Sequence, residues 1–183
     1  MGGFAARRIG DQGTGDQAVK EITSFALSIT PIRAWTHIAD LAAFALWHPS
    51  YRFWGNAAPG ARVGLTFGLL RGELPIKAGA KIIAYERAHC LAWRTGLGGV
   101  LTLHEEYALD GLGEQTRVRH SITMRGMLSP LGYTVRRGLR SAMRAQDAAL
   151  VRYLTKEARG SGFTVNRRRR RVRKAQLSAK GRS

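Results

Sequence analysis

Acidic residues are scarce in this chain: 12 Asp and Glu stand against 30 Lys and Arg in 183 residues, a formal charge of +18. Cysteine is nearly absent, with Cys90 the single one. No intramolecular disulfide can form, and no multi-cysteine zinc or iron–sulfur site. That usage fits a reducing compartment. No apolar run approaches the ~18 residues of a membrane span. Arg7-Arg8 lacks the apolar core that must follow a twin-arginine signal, and Ala6 stands where myristoylation wants Ser or Thr. Together these absences predict a soluble cytoplasmic protein.

Histidines are few and scattered. His37, His48, His89, His104 and His120 share no ligand spacing, so no metal is expected. His104-Glu105-Glu106 is not the His-Glu-x-x-His of a zinc protease. Gly96-Leu97-Gly98-Gly99 lies between two predicted strands and lacks the strand-to-helix context of a dinucleotide loop. There is no Gly-x-Ser-x-Gly elbow, and no cofactor is expected. Cys90 has no activating neighbour in sequence and reads as an inert thiol.

What the chain does have is unevenly placed. From Arg159 to Ser183 there are ten basic residues and no acid. More than half of the net charge therefore belongs to a short segment. Residues 1–18, rich in Gly, Asp and Gln, read as a disordered arm. Residues 160–183 read as a disordered basic tail, because like charges repel and the few apolar residues form no stripe. The folded domain is predicted over 19–159, with a 44% apolar fraction for the whole chain adequate for a core.

Within it, Phe25, Leu27 and Ile29 alternate with Ser24, Ala26 and Ser28, a half-buried strand. Thr30-Pro31 reads as a helix cap and first helical residue. The segment Ile32 to Trp47 breaks at Asp40 into two short helices, stopped by His48-Pro49. Alternating runs at 51–56, 61–71, 76–87, 89–95, 99–109 and 116–125, separated by turn residues, predict an antiparallel meander. A long amphipathic helix follows Ser129-Pro130, with Met143, Gln146, Leu150 and Leu154 on its apolar face. Gly160 would stop it. A curved sheet covered by one helix leaves room for a cavity between them.

This order resembles the START-like superfamily of polyketide cyclase/dehydrase and lipid-transport proteins (SRPBCC). The stretch 31–49, ending in Trp47-His48-Pro49, looks like the family's short-helix pair. The stretch 84–95 carries its Leu-x-Trp step at Leu91 and Trp93. Residues 103–133 look like its long hairpin followed by a glycine-led connection to the last helix. The usual Gly-Thr pair of that hairpin is Gln115-Thr116 here. The resemblance covers about residues 20–158. It implies an α+β helix-grip fold: a seven-stranded curved antiparallel sheet wrapped on a long C-terminal helix, with two short helices after the first strand. It also implies a cavity used in different members for carrying, cyclising, hydrolysing or sensing small molecules.

Strand alternation says what faces such a cavity. Leu101, Leu103, Tyr107 and Leu109 share a face with one charged residue, Glu105. Val118, Ile122 and Met124 share a face with His120, while Arg117, Arg119, Ser121, Thr123 and Arg125 take the other. A hairpin closed by the turn Asp110 to Gln115 would oppose Leu109 to Thr116, Tyr107 to Val118 and Glu105 to His120. Glu105 and His120 are thus candidate catalytic acid/base groups; the alternative is that they satisfy each other or sit in water at the rim. Candidate ligand-binding residues are Trp47, Phe67, Trp93, Leu103, Tyr107, Ile122, Met143 and Gln146. Trp35, Trp54 and Arg71 are weaker candidates.

The tail residues Arg167, Arg168, Arg169, Arg170, Arg171, Arg173 and Lys174 are candidate phosphate binders. They would give non-specific nucleic-acid contact, contact with an anionic membrane surface, or a merely solubilising segment. Without interleaved aromatics they offer no base stacking. Three functions follow from the sequence. The first is binding of a small hydrophobic or amphipathic ligand, such as a lipid or polyketide, for transport or sequestration. The second is a cyclase/dehydrase-type enzyme using the same cavity. The third is a basic-tail adaptor for nucleic acid or membrane.

Overall fold

The computed structural model describes residues 18–67, 76–97, 100–126 and 136–157. Most of the predicted arm, the whole tail with its arginine run, Arg71, Ser129-Pro130 and Gly160 lie outside the described residues.

Strand β1 (Val19–Leu27) is followed by helix α1 (Pro31–Ile38), a 3-10 turn (Leu41–Ala43) and helix α2 (Phe44–Trp47). Then come β2 (Arg52–Trp54), β3 (Arg62–Phe67), β4 (Ile76–Glu86), β5 (Cys90–Leu97), β6 (Leu101–Leu112) and β7 (Gln115–Arg125). Helix α3 runs through 136–157, about 33 Å at the usual rise. The seven strands form one antiparallel sheet in the order β1–β7–β6–β5–β4–β3–β2. This is the helix-grip architecture that the resemblance implies.

Local chemistry accounts for most of the boundaries. Pro31 occupies the first helical position, where its missing N–H is not needed. Thr30 sits at the cap, but its side chain makes no capping bond. The working cap is Asp40, whose Oδ1 accepts from Ala42 N and Ala43 N and starts the second helical piece. In β1 the inward residues are Val19, Glu21, Thr23, Phe25 and Leu27; Ile29 is buried just beyond. Arg117, Arg119 and Arg125 take the exposed face of β7, as the alternation predicts.

The β6–β7 register differs from the predicted one. Leu109 pairs with Val118, Tyr107 with His120 and Glu105 with Ile122. The hairpin is tighter than the turn residues implied. The strands continue to Leu112 and Gln115, leaving Gly113 and Glu114 as a two-residue turn. Gly113 takes φ 64 at the first turn position, which the right-handed twist of the strands favours and which glycine adopts without strain. The slip is two residues, so every side chain keeps its face. Glu105 and His120 become diagonal neighbours on the inner surface instead of direct partners.

One contiguous core fills the space under the sheet, from Phe44, Trp47 and Phe53 through Trp93 and Tyr107 to Met143, Leu150 and Leu154 of α3. Trp54 is half exposed and does not join it. Helix α3 is also tied to the sheet by polar bonds: Asp147 to His120 of β7, and Arg136 and Arg140 to Glu21 of β1.

Candidate functional site

The inner face of the sheet carries a continuous chain of buried polar groups. β7 projects His120 inward and α3 projects Asp147 onto it: His120 Nδ1 lies 2.8 Å from Asp147 Oδ1. On its other side, His120 Nε2 lies 3.0 Å from Glu105 Oε1 of β6. Glu105 Oε2 in turn accepts from the Tyr51 hydroxyl at 2.7 Å. Tyr51, just after α2, donates its backbone N–H to His48 Nδ1 at 2.8 Å, and Ser50 N–H also donates there at 3.2 Å. Ring stacking reinforces the line. Tyr107 lies on His120 with centroids 4.2 Å apart, and His48 lies on Tyr51 at 4.1 Å.

The two histidines are driven to opposite charge states. Burial opposes charge on His120, but hydrogen bonds and attraction from Asp147 and Glu105 outweigh it and push its pKa up to about 9. It is an imidazolium at neutral pH, with both N–H groups donating to carboxylates. His48 goes the other way. Burial, then repulsion from His120 and Arg52, hold its pKa well below the usual histidine value. His48 is therefore neutral, and since Nδ1 accepts two backbone bonds, its proton is on Nε2. Burial first, and then the Glu105 charge, push the Tyr51 and Tyr107 hydroxyls well up, so both stay protonated donors.

Several polar atoms around this chain have no partner. Among the described residues, Tyr107 Oη, Trp93 Nε1, Gln146 Oε1, His48 Nε2 and Trp47 Nε1 are buried and unbonded. Each such atom disfavours folding by about 1–3 kcal/mol relative to a paired one.

All the predicted ligand-binding residues are interior. Trp47, Phe67, Trp93, Leu103, Tyr107, Ile122, Met143 and Gln146 are each at most 6% exposed. Trp93 and Met143, at 0%, border no water-sized void. The open sheet–helix cavity expected from the sequence is, among these residues, occupied by their own large side chains. Among the described residues, open space includes clefts at the margins. A cleft of about 660 Å³ runs between β1 and α3 and reaches Asp147. A smaller one of about 330 Å³ lies beside it, between Ala26–Ile29 and Val151, Leu154 and Thr155.

The predicted Glu105–His120 pair is in contact. Asp147, Tyr51 and His48 were missed as members of the site. Asp147 had a legible signal: it falls four residues after Met143 and three before Leu150, an acid inside the apolar stripe. Tyr51 had a partial one: it opens the predicted run 51–56 on the same parity as Phe53, but alternation does not say that its hydroxyl reaches Glu105. His48 was assigned only to the helix-end turn, where it does cap α2. Glu105 and Asp147 bind opposite edges of one imidazole, so through these atoms they do not converge on a metal ion. Burial, then Glu106 and Glu86, push the Cys90 thiol up to about 11, which disfavours the thiolate. No helix among the described residues is long and apolar enough to cross a membrane.

Similar folds are found among solved structures. A START superfamily protein from Mycobacterium smegmatis matches with TM-score 0.64 and 12% identity, over 78% of this chain and 99% of that one. The Zhui aromatase/cyclase from Streptomyces sp. R1128 matches with TM-score 0.60 and 14% identity, over 78% and 94%. Norcoclaurine synthase from Thalictrum flavum, in complex with dopamine and hydroxybenzaldehyde, matches with TM-score 0.58 and 13% identity, over 82% and 98%. At these identities the likeness is one of fold. No curated protein matches the chain. Residues 22–155, most of the described domain, match the family of polyketide cyclase / dehydrase and lipid transport proteins. The chain belongs to that family.

Proposed function

We propose that the protein binds a small hydrophobic or amphipathic molecule, such as a lipid or polyketide, between the sheet and α3. The observation that carries this reading is the group of buried, unpartnered polar atoms around His120. Tyr107 Oη and Trp93 Nε1 are donors, and Gln146 Oε1 is an acceptor. The polar part of a ligand would pair them, and its apolar part would meet Leu103, Ile122 and Met143. Because these side chains are packed, the ligand enters by displacing them, with α3 moving outward from the sheet. Binding of this kind serves transport or sequestration.

The test uses native mass spectrometry of the gently purified full chain. A co-purifying apolar molecule is expected. Tyr107→Phe combined with Gln146→Leu should remove it without lowering the melting temperature, since the Tyr107 hydroxyl and Gln146 Oε1 are buried without a partner among the described residues. An unchanged bound mass in that variant would sink the reading.

A second reading, a cyclase/dehydrase-type enzyme, is favoured by the Glu105–His120–Asp147 geometry. Both N–H groups of the imidazolium are taken by carboxylates, so it would act as a general acid toward a ligand carbonyl once the ligand takes the place of one of them. A cyclase among the structural neighbours is consistent with it. It requires turnover of a poly-β-ketone that His120→Gln abolishes while the protein stays folded. The basic tail, including Arg167–Arg171, Arg173 and Lys174, would add contact with nucleic acid or an anionic membrane surface.

A further inference from the structure

Along α3, Arg136, Arg140, Arg144, Ala148 and Arg152 recur at every fourth residue, a spacing that puts them on one ridge. The first two are engaged. Arg136 and Arg140 both hold the buried carboxylate of Glu21, Arg140 Nε lying 2.8 Å from Oε2. The next two are not. Among the described residues neither Arg144 nor Arg152 forms an ion pair.

These two flank Ala148, one turn to either side and about 12 Å apart along the axis. The short side chain at 148 leaves a hollow between them. The ridge and the free edge of β1 bound the cleft of about 660 Å³, whose wall includes Thr23, Phe25 and Val151. Thr23 Oγ1 is buried there without a partner. The acid in the wall, Asp147, is already paired with the His120 imidazolium. The uncompensated charge of the cleft is therefore positive, and part of its surface is apolar.

We propose that this cleft binds an amphipathic anion. Its phosphate or carboxylate head is held between the Arg144 and Arg152 guanidinium forks, which suit such heads bidentately. Its apolar part lies on Phe25, Ala148 and Val151. The site is separate from the interior one around Tyr107 and stands whether or not the interior binds a ligand.

The head could come from a free amphiphile or from a lipid in a membrane, and the test distinguishes them. The ¹⁵N-labelled full chain is titrated at physiological salt with dodecyl phosphate below its micelle concentration, and separately with phosphatidylglycerol vesicles. Amide shifts should appear at 22–25 and 144–152 with the soluble phosphate. A response there to vesicles alone supports the same site with a membrane headgroup as its source. Arg144→Gln/Arg152→Gln should weaken the response by about tenfold or more, and Ala148→Glu should abolish it if the double variant folds poorly. Arg137→Gln, one position off the ridge, should leave it unchanged. Silence of these amides with both probes, equal affinity in the double variant, or equal binding of the uncharged dodecyl maltoside would overturn the proposal.

Discussion

His120 holds its charge in the interior because two acceptors meet its two N–H groups. Its folded pKa of about 9 lies above the unfolded value near 6.5. The stabilisation is therefore complete below about pH 6.5 and is lost as pH rises toward 9. At ~1.4 kcal/mol per pKa unit the loss is on the order of 3 kcal/mol, or roughly 6–12 °C in melting temperature for a domain of this size. Melting curves by circular dichroism at pH 6 and pH 9.5 measure it. His120→Gln should lie lower at pH 6 and show a much flatter pH dependence. A wild type that melts equally at both pH values would contradict the assigned charge state. Tyr107 gives a second measurement at this scale. Tyr107→Phe removes a buried hydroxyl that bonds nothing, so stability should hold or rise by about 1 kcal/mol. A fall of 2 kcal/mol or more, by the scale of a buried bond lost, would mean that the hydroxyl has a partner in the fold.

Among the elements, the β6–β7 hairpin sets the site, and its turn sets the hairpin. Gly113→Ala places a Cβ at φ 64 and should destabilise by about 1 kcal/mol. Gly126, at the end of β7, has φ 127, and an added Cβ would meet the Val100 carbonyl as well as the backbone penalty. Gly126→Ala should therefore cost more, about 2–4 kcal/mol. Urea unfolding of the two variants gives the order; a smaller effect at 126 than at 113 would be inconsistent with this contact. Strand existence and facing were legible because alternation survives a slip of two residues. Register was not, because Asp110, Gly111 and Gly113 are all turn formers and only strand pairing decides which of them turn. The helix pair was legible from Pro31, Asp40 and Pro49. That Asp40 and not Thr30 makes the capping bonds depends on side-chain geometry.

At the scale of the whole molecule, ten of the basic residues behind the charge of +18 lie between Arg159 and Ser183, outside the described residues, while the described residues bury a polar network of their own. Deleting 160–183 removes nine basic residues and no acid. Retention on a DNA or anionic-lipid column at low salt should fall sharply, with the melting temperature of the domain unchanged. Undiminished retention would move the interaction to the arginine ridge of α3. The sequence by itself determined the architecture and the inward placement of Glu105 and His120, because periodicity and turn chemistry are local properties of the chain. Only the tertiary structure decided that Asp147 and Tyr51 complete the network, that the predicted cavity residues pack against one another, and that Arg144 and Arg152 have no ion-pair partner among the described residues. Those facts depend on distances between elements far apart in the chain, and on how large side chains share one interior, which no single element encodes.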